Sequence, residues 1–382
     1  MKSIEGISIF TQRPVRIVYD GRHIAEVFDI QDRPDLPYVS PGFLDMQVNG
    51  FQGIDYSLVN LEGDQIETLV KYLGRTGTTR HVPTFVSMPQ DRLLRNLRIT
   101  CEAMRSHPIV DSALVGFHIE GPFISTEDGP RGAHDRKFVR KASFEEFQEW
   151  QSAAEGKIKY ITLAPEVDGA IDLIHSVVQT GVKVAIGHTG ASPEQIQEAI
   201  AAGATQSTHL GNGSYTTLPR LRNYIWEQLA ADSLSAGIIC DGYHLPRSVV
   251  KVFARAKQLE RIILVSDVAL LGGYPPGLYK WGNLDVQVFD DGHLGLPGTT
   301  VLAGAAHALD WDIARFMEFT GTPLAQTIAL CTANPARYVG LPTDRYASFE
   351  IGEAADFCVF SYQKGASRLL IEKAILDGVD LS

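Results

Sequence analysis

Four ionisable residues stand at the ends of short apolar runs. Glu120 closes Leu114-Val115-Gly116-Phe117-His118-Ile119, His188 closes Val182-Lys183-Val184-Ala185-Ile186-Gly187, His209 ends the run from Ala204 to Thr208, and Asp267 closes Ile262-Ile263-Leu264-Val265-Ser266. Two imidazoles and a carboxylate suit a divalent cation with an open coordination position. Such an ion brings the pKa of water down to near 7 and so supplies a nucleophile at neutral pH, while Asp267 is left to take and deliver a proton. That is hydrolytic equipment. One such histidine alone reads as an ordinary polar residue. Packing does not explain ionisable groups at the same end of four apolar runs, because burial costs them several kcal/mol unless they are paired or metal-bound. Zinc is the first expectation for the ion; iron, manganese and cobalt accept the same ligand types.

Weaker signals lie nearby. His244 ends Cys240-Asp241-Gly242-Tyr243-His244, and His134 sits in the glycine-flanked loop Gly129-Pro130-Arg131-Gly132-Ala133-His134. Either can hold a substrate oxygen, although a surface position is the plain alternative for His134. His209-Leu210-Gly211-Asn212-Gly213-Ser214 is glycine-rich; its backbone N–H groups can approach an anion closely, or it is simply a turn.

The elements that must bring these residues together follow a repeated pattern of short β-branched run and helical stretch, which indicates βα units and a parallel sheet. Eight runs qualify: Phe43–Val48, Thr78–Phe85, Ala113–Ile119, Ile158–Leu163, Val182–Gly187, Ala204–Leu210, Leu234–Cys240 and Arg261–Ser266. Ser143 to Glu146 and Ser192 to Gln195 have capping-box spacing, the second with Pro193 at the first helical position and Gly203 as a stop. The count favours an α/β fold, a (β/α)8 TIM barrel, over an open doubly wound sheet. Functional residues of such a barrel gather at the C-terminal ends of its strands, where the four ionisable groups lie. Both flanks read as short antiparallel strands. The expected organisation is therefore a small β-sandwich from residues 1–40 and 346–382 beside a catalytic barrel over 41–345.

With 382 residues, 45% hydrophobic and 21% charged, the chain can bury a large core. Its formal charge of −11 argues against gripping nucleic acid or an anionic membrane. No apolar window reaches the roughly 20 residues of a membrane span, and the start lacks a signal-peptide pattern, so a cytoplasmic location is expected. Cys101, Cys240, Cys331 and Cys358 show no paired spacing and read as small buried apolar residues.

Seven segments occur in a recognisable order: Ser40-Pro41-Gly42-Phe43-Leu44-Asp45-Met46-Gln47-Val48-Asn49-Gly50, Gly116-Phe117-His118-Ile119-Glu120-Gly121-Pro122-Phe123, Ile186-Gly187-His188-Thr189, Thr208-His209-Leu210, Asp241-Gly242-Tyr243-His244, Val265-Ser266-Asp267 and Leu302-Ala303-Gly304. Together they resemble the N-acetylglucosamine-6-phosphate deacetylase family of the amidohydrolase superfamily, over nearly the whole chain. The resemblance implies a metal-dependent barrel with a terminal β-sandwich. It implies Glu120, His188 and His209 as metal ligands, Asp267 as catalytic acid/base, and His134 and His244 as contacts to the sugar or its amide carbonyl. Asn212 and the backbone of Gly213 correspond to positions that contact the substrate and its phosphate. It further implies a homodimer.

Two departures stand out. Many amidohydrolases carry His-x-His after the first strand, whereas Gln47 and Asn49 occupy those places here, which leads to the expectation of a single ion. The family's Gly-Arg-Glu-Pro-Gly segment is replaced by Arg220-Leu221-Arg222-Asn223-Tyr224-Ile225-Trp226. Arg220 or Arg222 can reach a phosphate from a shifted position or be solvated charges; Arg131 and a loop of a neighbouring subunit are further candidates. The expected activity is hydrolysis of N-acetylglucosamine 6-phosphate to glucosamine 6-phosphate and acetate. The alternatives are a deacetylase or amidase for unphosphorylated N-acyl compounds, and a catalytically dead sugar-sensing barrel.

Overall fold

A computed structural model describes residues 1–282, 284–299 and 301–382. Eight parallel strands run in chain order around one sheet: Phe43–Val48, Thr78–Phe85, Phe117–Glu120, Ile158–Leu163, Lys183–Ile186, Gln206–Ser207, Ser235–Ile238 and Ile262–Leu264. Most of their residues are buried, as expected of apolar runs covered on both faces. The ring closes where the chain leaves the last strand. There Asp267 N donates to Gln47 O at 3.0 Å and Asn49 N donates to Val268 O at 3.0 Å. Closure thus places Asp267 beside the residues that follow the first strand.

All eight expected runs overlap a barrel strand, most are trimmed, and the third strand runs one residue past its expected end, to Glu120. Pro108–Ala113 is helical, with Pro108 in the first turn, so the third strand begins only at Phe117. Arg261 belongs to the 3-10 turn Leu259–Arg261. The helix Pro193–Ala202 has the full reciprocal cap between Ser192 and Gln195 and ends on Gly203 at φ 115°. At the helix Phe144–Ala153 only half of the expected capping box forms. Ser143 accepts from Glu146 N, but the Glu146 carboxylate is drawn away to Arg140, whose Nη2 lies 2.7 Å from it.

Both chain ends enter one seven-stranded sheet, of Lys2–Ser8, Pro14–Asp20, His23–Asp29, Tyr38–Pro41, Phe357–Ser361, Leu370–Leu376 and Val379–Asp380. Tyr38–Pro41 joins the halves, parallel to the first strand and antiparallel to Phe357–Ser361. Ile4, Ile17, Val39 and Phe357 are buried in its own apolar cluster. Asp356 links this sheet to the barrel by accepting from Thr79 Oγ1 at 2.7 Å and Arg80 Nε at 2.8 Å. A three-stranded antiparallel insert, Gly277–Trp281, Leu284–Val288 and Leu294–Gly295, follows the last barrel strand and was not among the expected elements. All four cysteines are free and buried, as their apolar reading requires. Among the described residues no helix is long and apolar enough to cross a membrane.

Candidate metal and catalytic site

The four strand-end residues converge. Glu120 Oε1 lies 2.8 Å from His188 Nε2 and 2.9 Å from His209 Nε2, and the two nitrogens are 3.0 Å apart. Gln47 Nε2 donates both to Glu120 Oε2 at 2.9 Å and to Asp267 Oδ1 at 3.0 Å, so one amide ties the two carboxylates together. Asn49 Nδ2 adds a second bond to Asp267 Oδ1 at 2.7 Å. His188, His209 and Asp267 leave their strands with φ of 52°, 29° and 52°. That left-handed region costs a non-glycine residue of order 1–3 kcal/mol, and it turns each side chain out of the pleat toward the mouth.

The protons on the rings decide what each histidine can do. His188 Nδ1 lies 2.9 Å from Pro130 O, a carbonyl that can only accept, so Nδ1 carries a proton and Nε2 offers a lone pair whenever the ring is neutral. That lone pair faces the Glu120 carboxylate and His209 Nε2, an arrangement of electron pairs that a cation relieves. A ring whose second nitrogen is held by a backbone carbonyl is also the usual setting of a metal-ligating histidine. The donor set therefore fits a divalent ion.

His134 is buried, contrary to the surface alternative, and its ring centroid is 4.4 Å from that of His188. Glu120, His134 and His188 also form a group whose ligand atoms lie within 4.8 Å. Yet His134 Nε2 is 4.0 Å from Glu120 Oε1, farther than either His209 contact, and its Nδ1 lies 2.8 Å from Ser87 Oγ, a hydroxyl able to donate or accept, and 3.4 Å from the donor Ser87 N. The Ser87 N–H, which can only donate, favours the proton on Nε2, and in that tautomer His134 is a donor toward the cavity. Burial, then the His188 charge, push its pKa down to about 3, so it acts as the neutral ring.

Electrostatics separates the two carboxylates. Burial works to raise the Glu120 pKa, but in the metal-free site the His188 and His209 rings, in their protonated form, hold it well below the usual range by hydrogen bonds and charge. Asp267 is pushed up to about 6, first by burial and then by the Glu120 charge. Two carboxylates with opposite shifts divide into a permanent anion and a proton carrier.

His244, in the loop after the seventh strand, stands near enough to Asp267 to act on its pKa, in the lowering direction when the ring is protonated. Asn212 is turned back onto the backbone, its Nδ2 3.2 Å from His209 O. Gly213, at φ 53°, lies so close to His188 that a Cβ would stand 2.7 Å from Nδ1. Arg131 lies beside His134, donating Nη1 to His134 O at 2.5 Å, with Nε buried and unpartnered. The structure does not bring Arg220 or Arg222 to the cluster. Both are exposed, and Arg222, with a side chain 79% accessible, pairs with Glu194.

Sequence reasoning treated Gln47 and Asn49 only as failed ligands and overlooked that amides are donors where histidines would be acceptors. Their spacing at i and i+2, Gln47 within the end of the first strand and Asn49 just past it, is the signal that marks them.

The sequence profile of the amidohydrolase family matches residues 38–379. The chain belongs to that family. Within it, the chain is 31% identical over 305 residues to the N-acetylglucosamine-6-phosphate deacetylase of Lysinibacillus sphaericus, covering 80% of this chain and 77% of that one. It is 30% identical over 336 residues to the Danio rerio enzyme of the same name, covering 84% and 80%. A Mycobacterium smegmatis N-acetyl-D-glucosamine-6-phosphate deacetylase variant, solved in complex with N-acetyl-D-glucosamine-6-phosphate, superposes with a TM-score of 0.84 at 26% identity over 97% of this chain and 95% of that one. The amidohydrolase barrel and its terminal sheet are thus shared along almost the full length.

Proposed function

We propose that this amidohydrolase removes the acetyl group from N-acetylglucosamine 6-phosphate, giving glucosamine 6-phosphate and acetate. The observation that carries the reading is the Gln47-linked pair of carboxylates: Glu120 gathers His188 and His209, and Asp267 stands next to them with its pKa raised to about 6. The deacetylase names of the relatives supply the substrate class.

Glu120, His188 and His209 would hold one divalent ion, which supplies a Lewis acid and a water acidic enough to attack at neutral pH. Gln47 and Asn49 spend their N–H groups on Asp267 and Glu120, so they fill the second-ion positions with donors and favour a single ion. Asp267 takes a proton from the attacking water as its oxygen bonds to the acetyl carbon. His134 Nε2–H donates to the carbonyl oxygen as negative charge develops there. Asp267 then delivers its proton to the amide nitrogen as the C–N bond breaks, releasing acetate and the amine. His244, Asn212 and the backbone of Gly213 would orient the sugar, and Arg131 fits the phosphate better than Arg220 or Arg222 because it lies beside His134. Zinc is the expected ion, a homodimer the expected assembly and the cytoplasm the expected location, all three on the strength of the family resemblance.

The test is acetate and free-amine release by the metal-loaded protein from N-acetylglucosamine with and without the 6-phosphate. Turnover of the phosphorylated sugar that a strong chelator abolishes and added ion restores is expected. Preference for the unphosphorylated sugar, or activity undiminished by chelation, would reject the reading.

A further inference from the structure

We propose that Asp241 is a positioning residue that fixes the proton of the His244 ring on Nδ1 and presents Nε2 to the substrate as a hydrogen-bond acceptor. The inference rests on the deacetylase reading for the identity of the substrate, but the geometry stands apart from it.

Asp241 uses both carboxylate oxygens on one loop. Oδ1 accepts from Tyr243 N at 2.8 Å and His244 N at 2.9 Å, and Oδ2 lies 2.7 Å from His244 Nδ1. The Asp241 side chain is 2% accessible and that of His244 7%. An ionised carboxylate has only lone pairs, so Nδ1 must carry the proton of that bond. The neutral ring then offers a lone pair at Nε2, suited to a sugar hydroxyl and opposite in polarity to His134, whose Nε2 carries the proton. Burial acts to raise the Asp241 pKa, but the adjacent His244 ring and the N–H groups of His244 and Tyr243 that bond to the carboxylate more than offset it and hold the group ionised.

The loop is also anchored without the carboxylate. Trp311 Nε1 donates to Asp241 O at 2.9 Å, Tyr243 Oη donates to Asp291 O at 2.7 Å, and the Tyr243 ring stacks on His293 at 5.2 Å between centroids. Gly242 makes the turn at φ 90°. Asp241→Asn therefore tests the carboxylate with the backbone supported. The amide oxygen can still accept from the backbone N–H groups, whereas its NH2 group faces Nδ1 and drives the ring proton to Nε2. An aspartate-to-asparagine change of this kind beside a catalytic histidine is known to act through the wrong tautomer.

The experiment has two arms on the metal-loaded protein. In the first, 15N-histidine labelling with His244 assigned from His244→Gln reads the tautomer by NMR. Nδ1–H is expected in the wild type and Nε2–H in Asp241→Asn. A wild-type ring protonated on Nε2 alone overturns the proposal without recourse to any variant. In the second, Asp241→Asn and His244→Gln are expected to lower kcat/KM by about 10² to 10³ each, and the double variant no further than the worse single. Losses that multiply in the double variant, or wild-type kcat/KM in Asp241→Asn, overturn the proposal, because a residue acting through His244 has nothing left to act on once that ring is gone. Should no acylated amino sugar turn over at all, the deacetylase reading falls, and the tautomer arm still decides the role of Asp241.

Discussion

Asn49 Nδ2 lies 2.7 Å from Asp267 Oδ1, and that same oxygen accepts from Gln47 at 3.0 Å. One oxygen of the proton carrier is thereby committed to two amides, and proton traffic falls to Oδ2. Asp267→Asn removes the base while leaving Glu120, His188 and His209 in place. Metal content, read by elemental analysis, should be unchanged while kcat falls by about 10³ or more. Asn49→Ala frees the carboxylate to rotate and should cost about tenfold in kcat with metal still bound. A near-normal rate in Asp267→Asn would remove its assigned role.

The raised Asp267 pKa of about 6 has two consequences of opposite sign. A base must be ionised to accept a proton, so activity should fall as pH drops; a divalent ion beside the carboxylate lowers its pKa, which puts the acid limb of kcat/KM below 6 in the loaded enzyme. Stability of the metal-free protein runs the other way. A carboxyl raised from 3.8 to about 6 contributes stability that is fully present below pH 3.8 and lost as pH rises through 6, about 3 kcal/mol in all. Metal-free Asp267→Asn should therefore gain more melting temperature over the wild type at pH 7 than at pH 5. Equal gains at both pH values would contradict the assigned pKa.

The barrel was legible because its strands are apolar on both faces and alternate with capped helices; every expected run overlaps a strand. The site was legible because Glu120, His188, His209 and Asp267 each interrupt such a run at the same end. Proton placement was not legible. That His188 is a lone-pair donor and His134 an N–H donor depends on Pro130 O and Ser87 N, which lie 58 and 47 positions away. The half-formed cap at Ser143 failed for a related reason: Arg140 competes for Glu146, and local spacing says nothing of that rival. The insert from Gly277 to Gly295 gave only weak signals, since its strands Gly277–Trp281 and Leu284–Val288 are largely exposed or half-buried.

Gly213 reports on how tightly the loop after His209 is packed against the metal-binding ring. A methyl group there would meet His188 Nδ1 at 2.7 Å and Cγ at 3.1 Å, and the φ of 53° already disfavours any other residue. Gly213→Ala should lose about 1–2 kcal/mol from the backbone alone. By displacing His188 from Pro130 O it should also weaken metal binding by about 10- to 100-fold. Gly321→Ala is the control, because φ there is 78° with nothing within 4 Å. It should show a similar backbone penalty with metal affinity intact. Equal metal affinities in the two variants would mean that the Gly213 loop does not hold the ligand.

Arg131 and Arg222 give opposite expectations for the phosphate. Arg131 is held between Asp128 and His134 O, both at 2.5 Å, and its Nε is buried and unpartnered, so a shift of the side chain that uncovers Nε would give a phosphate oxygen a charge-assisted bond. Arg222 is exposed and engaged with Glu194. A hydrogen bond to a charged group contributes about 1.5–3 kcal/mol. Arg131→Ala should accordingly raise KM for the phosphorylated sugar by about 10- to 100-fold and affect the unphosphorylated sugar less, through the lost support of His134 alone, whereas Arg222→Ala and Arg220→Ala should change neither. Steady-state kinetics on the two sugars distinguishes the cases. A phosphate-specific rise in KM confined to Arg220→Ala or Arg222→Ala would move the anion site to the loop between Ser214 and Asn223 and require that loop, or its copy in a second subunit, to fold over the barrel mouth.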